Sequence, residues 1–166
     1  MANYSWIPAF KAVANWLDDY EDRQVELVQI LRDIGVDKGL EDELADGSKI
    51  PLVEIDPFTF YATFMKYGIN RRIELFSRLL KHIDLPVAAP ADFDGVPSAQ
   101  PLKVWLFPYS KERTPEMLPS LWKLFRQIRL GTIDGVLFDE ILRIPHTGFA
   151  KLTECLFYLF PEQHFP

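Results

Sequence analysis

Six prolines stand between Asp84 and Pro115 (Pro86, Pro90, Pro97, Pro101, Pro108 and Pro115), with Pro119 just beyond, and they limit what this chain can fold into more than any other feature. Each fixes φ and removes a backbone donor, so neither a long helix nor a central strand runs through the segment. It reads as an ordered loop between two blocks whose apolar residues recur at spacings of three and four, the period of a helix with one buried face. In residues 5–19 these are Trp6, Phe10, Val13, Trp16 and Leu17, and a second stripe of Val25, Leu27, Val28, Ile30 and Leu31 stops at Gly35. Asp56-Pro57 opens a third helix, the carboxylate accepting from free N–H groups and the proline suiting the first turn, and Phe58, Phe60, Tyr61, Phe64 and Met65 fill it up to Gly68. Asn70 caps a fourth, with Ile73, Phe76, Leu79, Leu80 and Ile83 inward and Arg71, Arg72, Arg78 and Lys81 mainly outside. Beyond the loop, residues 115–130 set Leu118, Leu121, Trp122, Leu124, Phe125 and Ile128 opposite Lys123, Arg126 and Arg129, and shorter helices follow over 133–142 and 147–159. Alternation in residues 104–109 permits one short strand. The expected fold is all-α or predominantly α, a helical bundle with a long Pro-rich ordered loop.

Residues 37–48 are acidic, hold two glycines and lack aromatics, so they read as a linker or an exposed turn. That gives an acidic helical hairpin and linker over residues 1–50 and a helical domain over 51–166, consistent with a length of 166. One cysteine and three dispersed histidines exclude a disulfide framework and give no zinc cluster, so no metal and no cofactor is expected. No basic stretch followed by an apolar one opens the sequence, and no run reaches the roughly 18 apolar residues of a membrane span, so the chain reads as a cytoplasmic protein without a membrane partner. The net charge of −6 argues against a globally basic nucleic-acid binder. The charge is uneven, however: residues 1–50 carry 5 basic and 11 acidic side chains, whereas residues 66–129 carry 11 basic and 6 acidic ones, so this section has the charge for a positive face if it is not simply solvated helix surface.

No catalytic constellation is visible. Asp92-Phe93-Asp94-Gly95 places two carboxylates two residues apart, but Asp and Gly favour a turn for local reasons. Cys155 lies in the apolar run LTECLFYLF and reads as a buried thiol, Glu154 is the sole acid near the following turn motif, and there is no GxxxxGK[ST] nucleotide loop. Trp105, Phe107 and Tyr109, with Lys103, Lys111 and Arg113 about them, interleave rings and cations, as base stacking and phosphate attraction require; anchoring of the loop on the core is the other reading. Residues 144–151 (IPHTGFAK) resemble the turn of helix-hairpin-helix proteins, in which a helix start offers N–H groups to a phosphate, although His146 stands where that motif usually has a second glycine. On that reading Thr147, Gly148 and Lys151 hold phosphate; on the other, Thr147 is a helix cap.

The order of short motifs carries a wider resemblance. Val53-Glu54-Ile55-Asp56-Pro57-Phe58-Thr59-Phe60, Asn70-Arg71-Arg72-Ile73, Asp92-Phe93-Asp94-Gly95-Val96-Pro97, Trp105-x-Phe107, Leu121-Trp122-x-Leu124-Phe125, Phe138-Asp139, Gly148-Phe149-x-x-Leu152-Thr153 and the tail Pro161-Glu162-x-x-Phe165-Pro166 together resemble a domain found in front of the AAA+ GTPase of McrB-type modification-dependent restriction proteins. The resemblance spans roughly residues 54–166 and leaves 1–50 outside. It implies a DNA-recognition domain of an anti-phage restriction system, without catalysis of its own, that meets a modified base while a GTPase ring and a separate nuclease act. The residues it points to are Arg71, Arg72, Arg113, Lys123, Arg126 and Lys151 for phosphates and Trp105 or Tyr109 for a base, with Lys111, Thr147 and Gly148 beside them. The alternative class is a protein-interaction adaptor, docking a motor or nuclease subunit or a second copy through the Trp6/Phe10/Trp16 stripe.

Overall fold

A computed structural model describes residues 4–99 and 104–162. The fold is predominantly α. Helix α1 (Trp6–Leu17) turns through a short 3-10 segment (Glu21–Arg23) into α2 (Gln24–Asp33); strands β1 (Glu41–Glu43) and β2 (Lys49–Pro51) follow, then α3 (Pro57–Met65), α4 (Ile69–His82), the long proline-containing loop, α5 (Met117–Arg129), α6 (Gly135–Leu142) and α7 (Phe149–Leu159). Lys103 and residues 163–166, the last part of the tail motif included, lie outside the described residues.

The centre is α3. All nine of its residues are buried, and it packs against α7, α5 and α4. A helix apolar on every side has no solvent face to offer, so the others arrange themselves around it. Asp56 caps it as expected, accepting from Phe58 N (2.9 Å) and Thr59 N (3.0 Å), with Pro57 in the first turn. Ring contacts then tie the first helix to the middle of the chain: Phe10 meets Tyr61 at 5.1 Å, Phe76 at 5.0 Å and Phe93 at 5.9 Å between centroids.

Residues 1–50 and 51–166 share this core. Trp6, Phe10, Val13, Leu27 and Leu31 belong to the same apolar cluster as Phe58, Phe76, Leu121 and Leu156. The stretch expected as a linker or exposed turn holds the first strand and the exposed turn of a two-stranded antiparallel hairpin, with Asp42 opposite Ile50. Its turn is local: Leu44 N bonds Ser48 O (3.0 Å), Gly47 N bonds Leu44 O (2.9 Å), and Gly47 sits at φ 82°. Two expectations fail at element ends. Gly68, not Asn70, precedes the first turn of α4, and Val25 is 60% exposed rather than part of the buried stripe. No strand forms over the described residues of 104–109.

The arginines expected on outer faces do a common structural task. The last carbonyls of a helix lack partners and carry its negative end, which favours a cation there. Arg72, 2% exposed, donates to Met65 O (2.9 Å) and Tyr67 O (2.7 Å) just past the end of α3 and to Ser98 Oγ (2.6 Å). Arg78 and Arg71 donate to Ile34 O (3.2 Å) and Gly35 O (2.9 Å) after α2. Arg129 reaches Ala14 O (3.4 Å) near the end of α1 and pairs with Asp18 (3.0 Å).

Candidate nucleic-acid interface

The segment carrying Trp105, Phe107 and Tyr109 is held through the main chain of one residue, Leu106. Leu106 N–H donates to Thr59 Oγ1 (3.1 Å), and Leu106 O accepts from Thr147 Oγ1 (2.7 Å). Thr59 Oγ1 donates in turn to the buried Asp56 Oδ2 (2.6 Å). The opening of α3 therefore caps a helix and anchors a loop with the same two side chains. With Leu106 and Phe107 sealed in the core, Trp105 stays half-buried and Tyr109 is 40% exposed. The Trp105 indole N–H donates to Gly39 O (3.0 Å), its ring stacks on Phe107 (5.0 Å), and Tyr109 meets it edge-on (5.4 Å). Phe107 thus anchors the loop on the core, while Trp105 and Tyr109 reach the surface.

Two lysines flank the exposed ring. The ammonium of Lys49, from β2, lies 5.0 Å from the Tyr109 centroid and that of Lys111 lies 5.9 Å away. Both hydrogen-bond to Glu43, Lys111 at 2.5 Å, and this donation holds the Glu43 carboxyl down to about 2. Glu43 thus shows what the lysines accept: an anion beside an aromatic face. Lys49 also lines a groove of about 860 Å³, shared with Arg32, Lys38, Leu40, Glu41 and Ile50, whose Gly39 backbone is the one Trp105 grips. Behind that segment Lys66 bonds the carbonyl of Lys38, and burial pushes its amine down to about 8 against the pull of Asp37.

The turn between α6 and α7 adjoins this face, because Lys151 bonds the carbonyls of Trp105 and His146. His146 and Gly148 both have positive φ (74° and 73°), and the exposed Gly148 begins α7 with no side-chain cap. The structure thus brings Trp105, Tyr109, Lys111, Gly148 and Lys151 to one side of the molecule.

The other predicted contacts are placed differently. Arg72 is buried on carbonyls at the end of α3, and Thr147 is 3% exposed with its hydroxyl turned to Leu106 O, so neither is set to meet a phosphate. The Arg113 side chain, 9% exposed, is bound to Asp42 (2.6 Å), Glu54 (3.3 Å) and Pro108 O (3.1 Å). Arg71 bonds Glu74 (2.8 Å) and Gly35 O, and Arg126 pairs with Glu21. Lys123 is exposed on α5. Among the described residues, Arg71, Arg72, Arg78, Arg113, Arg126 and Arg129 are thus held at helix ends, on carbonyls or in ion pairs. The Trp6/Phe10/Trp16 stripe is likewise mostly core, with Trp6 and Phe10 buried and Trp16 half-buried.

Sequence reasoning missed Lys49, Lys38, Glu43 and Lys66, the first three because the hairpin read as a linker. The signal was present in Asp46-Gly47 ahead of Lys49-Ile50-Pro51, an Asp-Gly turn of the kind that marks hairpins. Among the described residues no group of three or more His, Cys, Asp and Glu is placed to hold a metal ion, and no helix is long and apolar enough to cross a membrane. Asp92 accepts from Ser5 and from Asp94 N (3.1 Å), which makes its motif a turn that ties down the start of α1. Cys155 is buried, and burial raises its thiol well above the ordinary value. Residues 6–166 match a family described as Domain of unknown function (DUF8425). No curated protein and no solved structure matches the chain.

Proposed function

The chain belongs to the DUF8425 family over residues 6–166 as a single unit, and we propose one function for that unit: non-catalytic recognition of DNA within an McrB-like restriction system. The observation that carries this reading is the exposed Tyr109 ring between the Lys49 and Lys111 ammonium groups, next to Trp105 and the groove of about 860 Å³. Rings accept a base by stacking, lysines draw phosphate oxygens, and the groove has room for a nucleotide. The resemblance of the motif order to McrB-type recognition domains supports the same reading, as does the lack of a nucleotide-binding loop in the sequence. Catalysis then belongs to partner GTPase and nuclease components.

The test is fluorescence anisotropy with short duplexes, unmodified and carrying methylated or hydroxymethylated cytosine, across a salt series. Two to three phosphate contacts give a slope of log K against log salt of about −2 to −3. Tyr109→Ala lowers affinity roughly tenfold, since stacking on one base is worth about 1–3 kcal/mol, and lowers stability by only about 1 kcal/mol, the scale of its one edge-on contact with Trp105. No binding to any duplex at low salt, or equal binding by wild type and Tyr109→Ala, removes the proposal.

A further inference from the structure

A second concave site lies at the corner where α1, α2 and the end of α4 meet. Its volume is about 360 Å³; half-buried Trp16, Tyr20, Ile30 and Ile83 make its apolar part, and exposed Glu26 and His82 stand among its polar residues. Trp16 and Tyr20 meet at 4.3 Å between centroids and 46° between planes, so their rings form a corner.

Two observations say what fits there. The first is an unused donor. Trp6, Trp105 and Trp122 each give their indole N–H to a backbone carbonyl, at 2.9, 3.0 and 3.2 Å, whereas that of Trp16 has no acceptor among the described residues. An indole N–H without a protein acceptor, on a ring that lines a cavity, takes a carbonyl oxygen readily. The second is charge. The chain already seats a guanidinium on this corner: Arg23 lies 4.5 Å from the Tyr20 centroid and forks onto Glu26 at 2.9 and 2.6 Å. Residues 18–33 hold six carboxylates, and of these Asp19 and Asp22, on either side of Tyr20, have no ion-pair partner among the described residues.

We infer that this corner is a docking site for a basic peptide segment of a partner protein, an Arg or Lys side chain lying on the Trp16/Tyr20 rings towards Glu26 and a backbone carbonyl of the peptide accepting from the Trp16 indole. Aromatic faces attract guanidinium and ammonium groups by their quadrupole, and the surrounding carboxylates steer them in. The site is separate from the Tyr109 face and does not depend on it.

The experiment is a two-dimensional ¹H–¹⁵N NMR titration of the whole chain with the capped peptide acetyl-Gly-Arg-Gly-Lys-Gly-amide, alongside versions with Gln or Glu in place of both cations. Expected are saturable shifts of the Trp16 indole N–H signal and of amides in 20–30 and 82–83, with the Gln and Glu peptides weaker. Glu26→Gln and Trp16→Phe each lower affinity about threefold, the scale of one exposed cation–π or ion-pair contact. DNA affinity is unchanged in Glu26→Gln, so the two readings fail independently. An unmoved Trp16 indole signal, shifts confined to residues around Tyr109, or a Glu peptide that binds as well as the basic one overturns the inference.

Discussion

At the scale of single residues, long cations act on backbone carbonyls. Arg72 makes three hydrogen bonds from a buried guanidinium, so Arg72→Met leaves Tyr67 O without this donor and removes a charge from the end of α3. Urea denaturation should show a loss of about 3 kcal/mol; a loss below about 1 kcal/mol, the range of an exposed ion pair, contradicts the capping role. Helical periodicity placed Arg72 outside because it sorts apolar side chains and takes no account of how far a guanidinium reaches back to the preceding helix end. Lys66 gives a pH test. Its folded value of about 8 lies below the ordinary 10.5, so between those limits the unfolded chain holds more protons and stability rises with pH. Below pH 8 the cost of burying the charge is in full force. Stability curves of wild type and Lys66→Met, measured from pH 7 to 10.5, should therefore converge or cross in wild type's favour as pH rises; parallel curves rule the shift out.

At the scale of elements, the start of α3 links two distant parts of the chain. Thr59→Val keeps the shape but removes both the donor to Asp56 and the acceptor for Leu106 N–H. It should cost about 1–2 kcal/mol and speed amide exchange at Leu106 specifically. Unchanged exchange at Leu106 shows that Thr59 does not fix the loop. The helices were legible because each carries its own apolar period and, in α3, its own cap. The short strand expected in 104–109 was not found because alternation states only which side chains are buried; here the backbone partners are side chains, the Thr59 and Thr147 hydroxyls on Leu106, Lys151 on Trp105 O and Arg113 on Pro108 O, and not another strand. The hairpin at 41–51 was missed for the opposite reason, its Asp-Gly turn being outweighed by an acidic composition.

At the scale of the whole molecule, the boundary near residue 50 tests how far local signals extend. Trp6 and Phe10 are buried against rings from α3, α4 and α7, and α1 packs on α7. Deleting residues 1–50 strips one side of the core, so the remainder should lose cooperative unfolding by circular dichroism, while the full chain melts in one transition seen equally by far-ultraviolet and tryptophan signals. A deletion variant that melts sharply would establish two independent domains. By itself the sequence determined the predominantly helical class, the proline-rich loop between α4 and α5 and the cap of α3, since each follows from the conformational limits of residues close together in the chain. Only the tertiary structure decided which polar side chains are committed to the fold, because Arg72, Arg113 and the Thr147 hydroxyl find partners 5 to 71 positions away, and a linear pattern of charges does not tell an arginine bound to a buried carbonyl from one facing water.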